Sequence, residues 1–280
     1  MKFRPAKKDF SVDDLPSTRK AQFLDFFKTR FGMFFSFGGI FLLCALPLIA
    51  AILLKYYLFL LPASQSLAEG DYVSYYKTTC LIFNFVYCIC FLFLFLACAG
   101  LGRVFREWAW GKGVYFFHDF LTGIKKNFPS YLLLWFLFSL FYFVSKFISL
   151  SVSQIWVSYL VGGLCLLLLP VLLMAMSQVL YYSNKVGKLF ANSFSYCFKK
   201  PLVTFAFLLF PYGVLCLGLI DQVMIMILVI ALMFLLLLPF YFVGWHLFAL
   251  TIFDEFTNKE YYPSIYHKGL RGEFVKEKEE

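Results

Sequence analysis

Six long apolar stretches alternate with polar segments along this chain of 280 residues. A helix rises about 1.5 Å per residue, so roughly 20 apolar residues cross the ~30 Å hydrocarbon core of a bilayer. Because the chain is 62% hydrophobic and 15% charged, a soluble domain could not hide its apolar surface from water. The sequence therefore predicts an all-α integral membrane protein with six transmembrane helices, Phe31–Leu54, Cys80–Leu101, Tyr131–Leu150, Ile155–Met176, Leu202–Leu219 and Val223–Thr251.

Lysine and arginine are divided unevenly between the two sides of these spans. Of the 25 basic residues, 22 lie in the two termini and the second and fourth connections, together with 13 acidic residues. Because cytoplasmic segments are enriched in Lys and Arg, we expect both termini in the cytoplasm and the protein in the cell membrane. The formal charge of +9 then lies wholly on the inner side. It indicates contact with the lipid bilayer and its anionic lipids, and not with nucleic acid.

The chain is expected to form one membrane domain over residues 1–280. Residues 1–30 are predicted as a cytoplasmic N-terminal segment, 31–251 as the six-helix bundle and 252–280 as a cytoplasmic tail. A long outer connection is expected from about Pro62 to Lys77.

Segments with apolar residues at helical spacing and basic clusters precede the first, third and fifth spans. Such segments are typical of amphipathic helices in the membrane interface, here called elbows. The apolar residues of the three elbows are Phe23, Leu24, Phe27 and Phe31; Phe116, Phe117, Phe120, Leu121 and Ile124; and Val186, Leu189, Phe190, Phe194, Cys197 and Phe198. The pattern predicts three elbow-plus-hairpin units on the cytoplasmic side. The alternative is a six-helix bundle without symmetry, in which prolines only kink the helices.

Motifs for catalysis or metal binding are not found in the sequence. The eight cysteines include no CxxC pair, and the three histidines have no Cys or carboxylate at ligand spacing. HExxH, GxSxG and Walker patterns do not occur either. We therefore expect no enzymatic activity, no cofactor, and no catalytic, cofactor-binding or metal-ligating residues.

Two polar residues within the predicted spans are candidates for function. Asn84 lies in the second span and His246 in the last. Polar groups at membrane depth commonly mark a substrate or proton pathway. The alternative for Asn84 is a hydrogen bond between helices. For His246, beside Trp245, the alternative is a helix end held at the inner interface.

A charged cluster follows the inner end of the second span. Arg103 and Glu107 are four residues apart and can pair on one helical face, which leaves Arg106 to reach Asp119 on the middle elbow. One hypothesis is that the cluster is a latch for a partner protein. The other is that the arginines hold the helix end among the lipid headgroups.

The stretch from Gly100 to Leu132 resembles the pattern of YesL-like proteins of Gram-positive bacteria, a family of multi-pass membrane proteins. The matching positions are Gly100, Arg103, Arg106, Glu107, Asp119, Phe120, Lys126 and Asn127. The ending from Tyr261 to Leu270 is similar to tails of such proteins. The resemblance implies no established enzymatic activity and an association with sugar uptake and glycan utilisation.

Three classes of function remain open from the sequence. An accessory or scaffold subunit of a carbohydrate transport system, in a membrane complex or homo-oligomer, fits the basic inner face and the resemblance. A small-solute transporter or substrate-binding membrane component fits the six spans. A membrane enzyme fits least, because the sequence lacks a catalytic constellation.

The predicted topology can be tested by labelling. A cysteine introduced at Glu69 should react with an impermeant thiol reagent in intact cells, because the first connection is expected outside. Labelling only after permeabilisation would contradict the six-span topology.

Overall fold

The computed structural model describes residues 15–152, 154–215 and 222–271, and every regular element within these ranges is helical. The α-helices are α1 Arg19–Thr29, α2 Phe31–Leu54, α3 Leu61–Ser66, α4 Glu69–Ala109, α5 Phe116–Ser151, α6 Ile155–Tyr181, α7 Val186–Cys197, α8 Pro201–Leu215, α9 Val223–Leu232, α10 Leu238–Phe253 and α11 Lys259–Tyr261. Three π-helical segments, Lys55–Leu60, Met233–Leu237 and Asp254–Asn258, join neighbouring α-helices without a break.

Five helices among the described residues are long and apolar enough to cross a membrane. They are Phe31–Ser66, Glu69–Ala109, Phe116–Ser151, Leu160–Tyr181 and Met224–Tyr261. The prediction of a helical membrane protein is confirmed. The predicted span Leu202–Leu219 corresponds to α8 as far as Leu215, and its remaining residues lie outside the described ranges.

The connection expected from about Pro62 to Lys77 is helical, and only Leu67 and Ala68 separate α3 from α4. At 41 residues, α4 is about 60 Å long, twice the hydrocarbon thickness. The predicted span Cys80–Leu101 is the apolar central part of this helix, which is suited to lipid. Polar residues on either side continue the same backbone hydrogen bonding, so the helix extends beyond the predicted span.

Helices α4 and α5 form an antiparallel hairpin that is packed along its length. Trp135 donates from Nε1 to the Cys88 carbonyl at 2.7 Å, and Asn127 donates to the Ala99 carbonyl at 3.4 Å. The close approach of the two helix backbones depends on Gly123 of α5. A Cβ added at Gly123 would lie 2.9 Å from the Ala99 carbonyl oxygen. Small residues allow helix backbones to approach in this way.

The main core is aromatic and lies between α1, α2, α4 and α10. Phe242 of α10 is at its centre, with ring centroids 5.9 Å from Phe37, 5.5 Å from Phe41 and 6.3 Å from Phe105. Edge-to-face contacts of this kind add to the stabilisation from burial itself.

The first and third elbows are separate helices, α1 and α7, whereas the middle elbow is the first part of α5. In α1 the orientation differs from the prediction. Arg19 and Gln22 are buried, and Phe26, outside the predicted stripe, is fully buried against Trp108 at a ring distance of 4.8 Å. In α7, Leu189 and Cys197 are buried, but Phe194 and other predicted stripe residues are exposed.

The last span packs tightly on α2 at the π-helical segment Met233–Leu237. A Cβ added at Gly38 would overlap the backbone carbonyl of Leu235, so only glycine fits there without a backbone shift. The neighbouring Gly39 has no atom within 4 Å of its Cβ position.

These two glycines give a matched test of the packing. Gly38→Ala should lower the thermal stability of the purified protein, because overpacking against rigid backbone costs about 1–3 kcal/mol. Gly39→Ala should leave stability unchanged or raise it slightly, since alanine favours helix by up to ~1 kcal/mol. Equal melting temperatures for the two variants would show that α2 and the last span do not meet here.

Candidate functional site

Polar residues converge at one end of the bundle, where α4, α6 and α10 end and α1 begins. The helix ends are held together there by side chains that are far apart in sequence. Arg19 of α1 pairs with Asp254 after α10, and Tyr182 after α6 donates from its hydroxyl to Asn258 at 2.5 Å. This end contains most of the charged contacts found among the described residues, so it is the candidate functional site.

The Arg19–Asp254 pair lies at the centre of this end, and both side chains are almost completely buried. Arg19 donates to Asp254 from Nε at 3.2 Å and from a terminal nitrogen at 2.9 Å, and also to Gln22 at 2.9 Å. Gln22 donates to the Ala109 carbonyl at the end of α4 at 2.8 Å. Asp254 also accepts from Asn258 at 2.8 Å. The ion pair and its hydrogen bonds therefore join α1, the end of α4 and the π-helical segment Asp254–Asn258 that follows α10.

A second charged group surrounds Glu107 on α4. Its carboxylate lies 2.6 Å from Arg106, 3.2 Å from Lys112 and 4.0 Å from Arg103. Arg106 also donates to the Leu180 carbonyl at the end of α6 at 2.7 Å. The predicted Arg103–Glu107 pair is thus present at the outer limit of an ion pair. Arg106 connects α4 to α6.

The prediction that Arg106 contacts Asp119 is wrong. Asp119 is buried and reaches back to accept from the backbone N–H of Tyr115, the residue before α5, at 2.8 Å. Arg106 instead uses the nearer acceptors Glu107 and Leu180. The sequence spacing allowed the pair, but the N–H of Tyr115, at the start of α5, is a nearer donor for the Asp119 carboxylate.

The two remaining candidates on the middle elbow have different surroundings. Asn127 is half-buried and bonds to the Ala99 carbonyl, so it fastens α5 to α4. Lys126 is exposed, as is its neighbour Lys125.

Asn84 is buried and forms a contact between helices. Its side-chain oxygen accepts from the Tyr142 hydroxyl of α5 at 3.3 Å. The arrangement is the interhelical hydrogen bond considered from the sequence.

His246 and Trp245 do not hold a helix end at an interface, because both are buried in the core. His246 lies with Nδ1 3.1 Å from the Ser177 hydroxyl, and its ring is 4.3 Å from Phe242. Trp245 donates from Nε1 to the same hydroxyl at 3.1 Å. The sequence pattern Trp-His resembled an interfacial pair, but α10 turns both side chains toward α6.

The Ser177 hydroxyl is the shared hydrogen-bond partner of His246 and Trp245. The Ser177 oxygen lies 3.1 Å from the Leu173 carbonyl and 3.1 Å from His246 Nδ1, and it accepts from Trp245 Nε1 at 3.1 Å. The single hydroxyl hydrogen can serve only one of these two acceptors, and the tautomer of His246 decides whether Nδ1 donates to Ser177 or accepts from it. The geometry fits a clamp between α6 and α10.

Sequence reasoning missed the buried residues Arg19, Gln22, Ser177, Gln178, Asp254 and Asn258. Asp254 offered a weak signal, because it is an acid directly after an apolar span on a side rich in cations. Gln178 bonds to Ser193 at 2.5 Å and holds α7 against α6. Among the described residues, no group of three or more His, Cys, Asp or Glu side chains is placed to hold a metal ion.

Comparison of the chain with protein-family models, with curated proteins and with solved structures finds no match.

The central ion pair gives a prediction about stability. Arg19→Ala should destabilise the protein by about 3–5 kcal/mol, because it leaves the Asp254 carboxylate buried without its cation. Lys20→Ala on the same helix is the control, and should change stability by less than about 0.5 kcal/mol since Lys20 is exposed. Thermal unfolding in mild detergent measures both, and similar melting temperatures would contradict the central role of the pair.

Proposed function

We propose that this chain is a non-enzymatic accessory subunit of a membrane transport system, and that it presents its basic end to a partner in the cytoplasm. In this proposal it lies in the cell membrane as six spans in three elbow-plus-hairpin units, with both termini inside. The resemblance to YesL-like proteins suggests a carbohydrate transporter as the partner.

The proposed orientation is supported by which helix ends meet. The ends of α4 and α6 come together through Arg106 and Leu180, and Asp254, just after α10, joins them through Arg19. Six antiparallel spans would bring the same ends together on one side. This side also has most of the basic residues, as expected for the cytoplasm.

The observation that carries the proposal is the use of the buried polar side chains. Asn84 is bonded to Tyr142, His246 to Ser177, and Gln178 to Ser193. A transport pathway needs polar groups that turn toward a substrate. These three side chains join helices, which suits a rigid scaffold better than a moving transporter.

A small-solute transporter or substrate-binding membrane component is the second candidate, favoured by the irregular last span. The π-helical segment Met233–Leu237 directly precedes α10, whose second residue is Pro239. Segments of this kind occur frequently at functional sites. However, the open groove of about 650 Å³ beside α2 is lined by residues from two segments, Thr29 to Leu43 and Val114 to Phe117. None of the lining residues is a proline.

The proposed docking surface is the exposed basic part of the middle elbow, Lys125 and Lys126. Arg106 is less suitable, because it is occupied within the bundle. Exposed cations on a fixed helix would attract an acidic patch on a partner and steer its approach.

Co-purification in mild detergent tests the proposal. The wild-type protein should retain a stoichiometric permease subunit, and Lys125→Glu with Lys126→Glu should release it because two reversed charges would face an acidic surface. Folding should be unaffected, since exposed charges contribute only about 0–1 kcal/mol.

The matched control reverses the same number of charges on α1, with Lys20→Glu and Lys28→Glu, both exposed and outside the predicted spans. This variant should keep the partner. If the purified protein alone in vesicles takes up a solute, and no partner is ever retained, the transporter alternative is correct.

A further inference from the structure

The loop after α4 gathers cations around one indole ring. The Trp110 ring lies 5.0 Å from the Arg106 guanidinium, 5.2 Å from Lys112 and 5.2 Å from Lys268. Lys268 belongs to the tail, more than 150 residues away in sequence. We propose that these residues, with Arg103, form a binding site for a phosphate group. This site does not depend on the proposed accessory role.

Charge is the first argument for the site. Arg103, Arg106 and Lys112 all share the carboxylate of Glu107, and Lys268 adds a further cation beside the same ring. Four positive charges therefore meet one negative charge in these contacts. The face of an indole relieves part of the repulsion between cations. An anion in the middle of the cluster would relieve much more.

Unused donors are the second argument. The Nε atoms of Arg103 and Arg106 are buried and have no hydrogen-bond partner among the described residues. A buried N–H without an acceptor is unfavourable, so native structures leave few of them. Both arginines lie on α4, three residues apart and on one side of the helix. Together they offer donors to the several oxygens of a phosphate, which arginine binds well.

The tail is built to complete the cluster. Gly269 has a φ of +79°, and a Cβ added there would overlap the Ala109 carbonyl. Glycine is the residue that tolerates this conformation without strain. It lets the tail lie directly on the end of α4, which places Lys268 beside Trp110. The position of this cation is therefore fixed by the fold.

The depth of the cluster suits a lipid headgroup. The apolar run of α4 ends at Leu101 and Gly102, and Arg103 to Lys112 follow directly. Basic residues and tryptophan in the first turns beyond the hydrocarbon lie at the level of lipid phosphates. A soluble phosphate compound carries the same group and could reach the half-exposed Lys112 from the water.

Lipid retention tests the site. Native mass spectrometry of the detergent-solubilised full chain, with added phosphatidylglycerol, should show bound lipid on the wild type. The variant Lys112→Gln with Lys268→Gln should bind it about tenfold more weakly, as expected for the loss of two charge-assisted contacts. The control Lys20→Gln with Lys28→Gln removes two exposed cations from α1 and should bind like the wild type.

Inorganic phosphate separates the two sources of the group. If millimolar phosphate displaces the lipid or raises the melting temperature of the wild type but not of the variant, the site accepts a soluble phosphate compound. If phosphate has no effect while the lipid still discriminates, the headgroup is the ligand. Equal lipid retention by wild type and variant, with no response to phosphate, would overturn the proposal. So would release of a co-purifying protein by the variant with lipid binding unchanged.

Discussion

The buried ion pair between Arg19 and Asp254 holds α1 to the end of the last span, across 235 residues of sequence. Its surroundings extend the connection, because Gln22 reaches the end of α4 and Asp254 accepts from the N–H of His267 in the tail at 3.4 Å. Two buried charges are stable only when their hydrogen bonds are satisfied together. The four segments that supply those bonds must therefore assemble as a unit. Because the tail is fixed in this way, Lys268 comes to lie beside Trp110.

The same logic applies within the spans, where burial of apolar surface cannot bring helices together because lipid is equally apolar. Helices in a bilayer associate through close packing and hydrogen bonds. The bonds of Trp135 to Cys88 and of Trp245 to Ser177 serve this purpose. At Gly38 the backbones of α2 and the last span approach closely instead. Large side chains that remain exposed, such as Phe147 and Leu228, have the composition of lipid-facing surface.

The sequence predicted what depends on local composition. Apolar runs about 20 residues long identified the membrane helices, because their length and hydropathy are properties of each segment alone. The partner of Asn84 was anticipated in kind, as a residue on another helix. The orientation of α1 cannot be predicted in this way, because polar residues such as Arg19 and Gln22 ordinarily lie on the solvent side of an amphipathic helix. Their acceptors lie on α4 and after α10, and no local pattern contains that information.

His246 and Asp119 show why short-range spacing misleads at this site. Trp-His at a helix end and Arg-Asp between neighbouring segments are both common arrangements, and both were reasonable from sequence. In the structure, His246 bonds to Ser177 and Asp119 accepts from the N–H of Tyr115. Both side chains, His246 and Asp119, are buried and need a partner. Satisfaction of buried groups is decided by the whole fold. Site residues in such a protein are therefore harder to predict than its spans.

In the proposed orientation, the positive-inside rule accounts for the number of cations at the basic end but not for their positions. Any distribution of Lys and Arg over the inner loops would direct insertion equally well. Arg19 and Lys200 have their own carboxylates, Asp254 and Glu255. The group around Glu107 has one acid for several cations. Its assembly requires the left-handed glycine of the tail. A rule about insertion does not require such a conformation, whereas a ligand with several anionic oxygens gives both the charge and the geometry a physical reason.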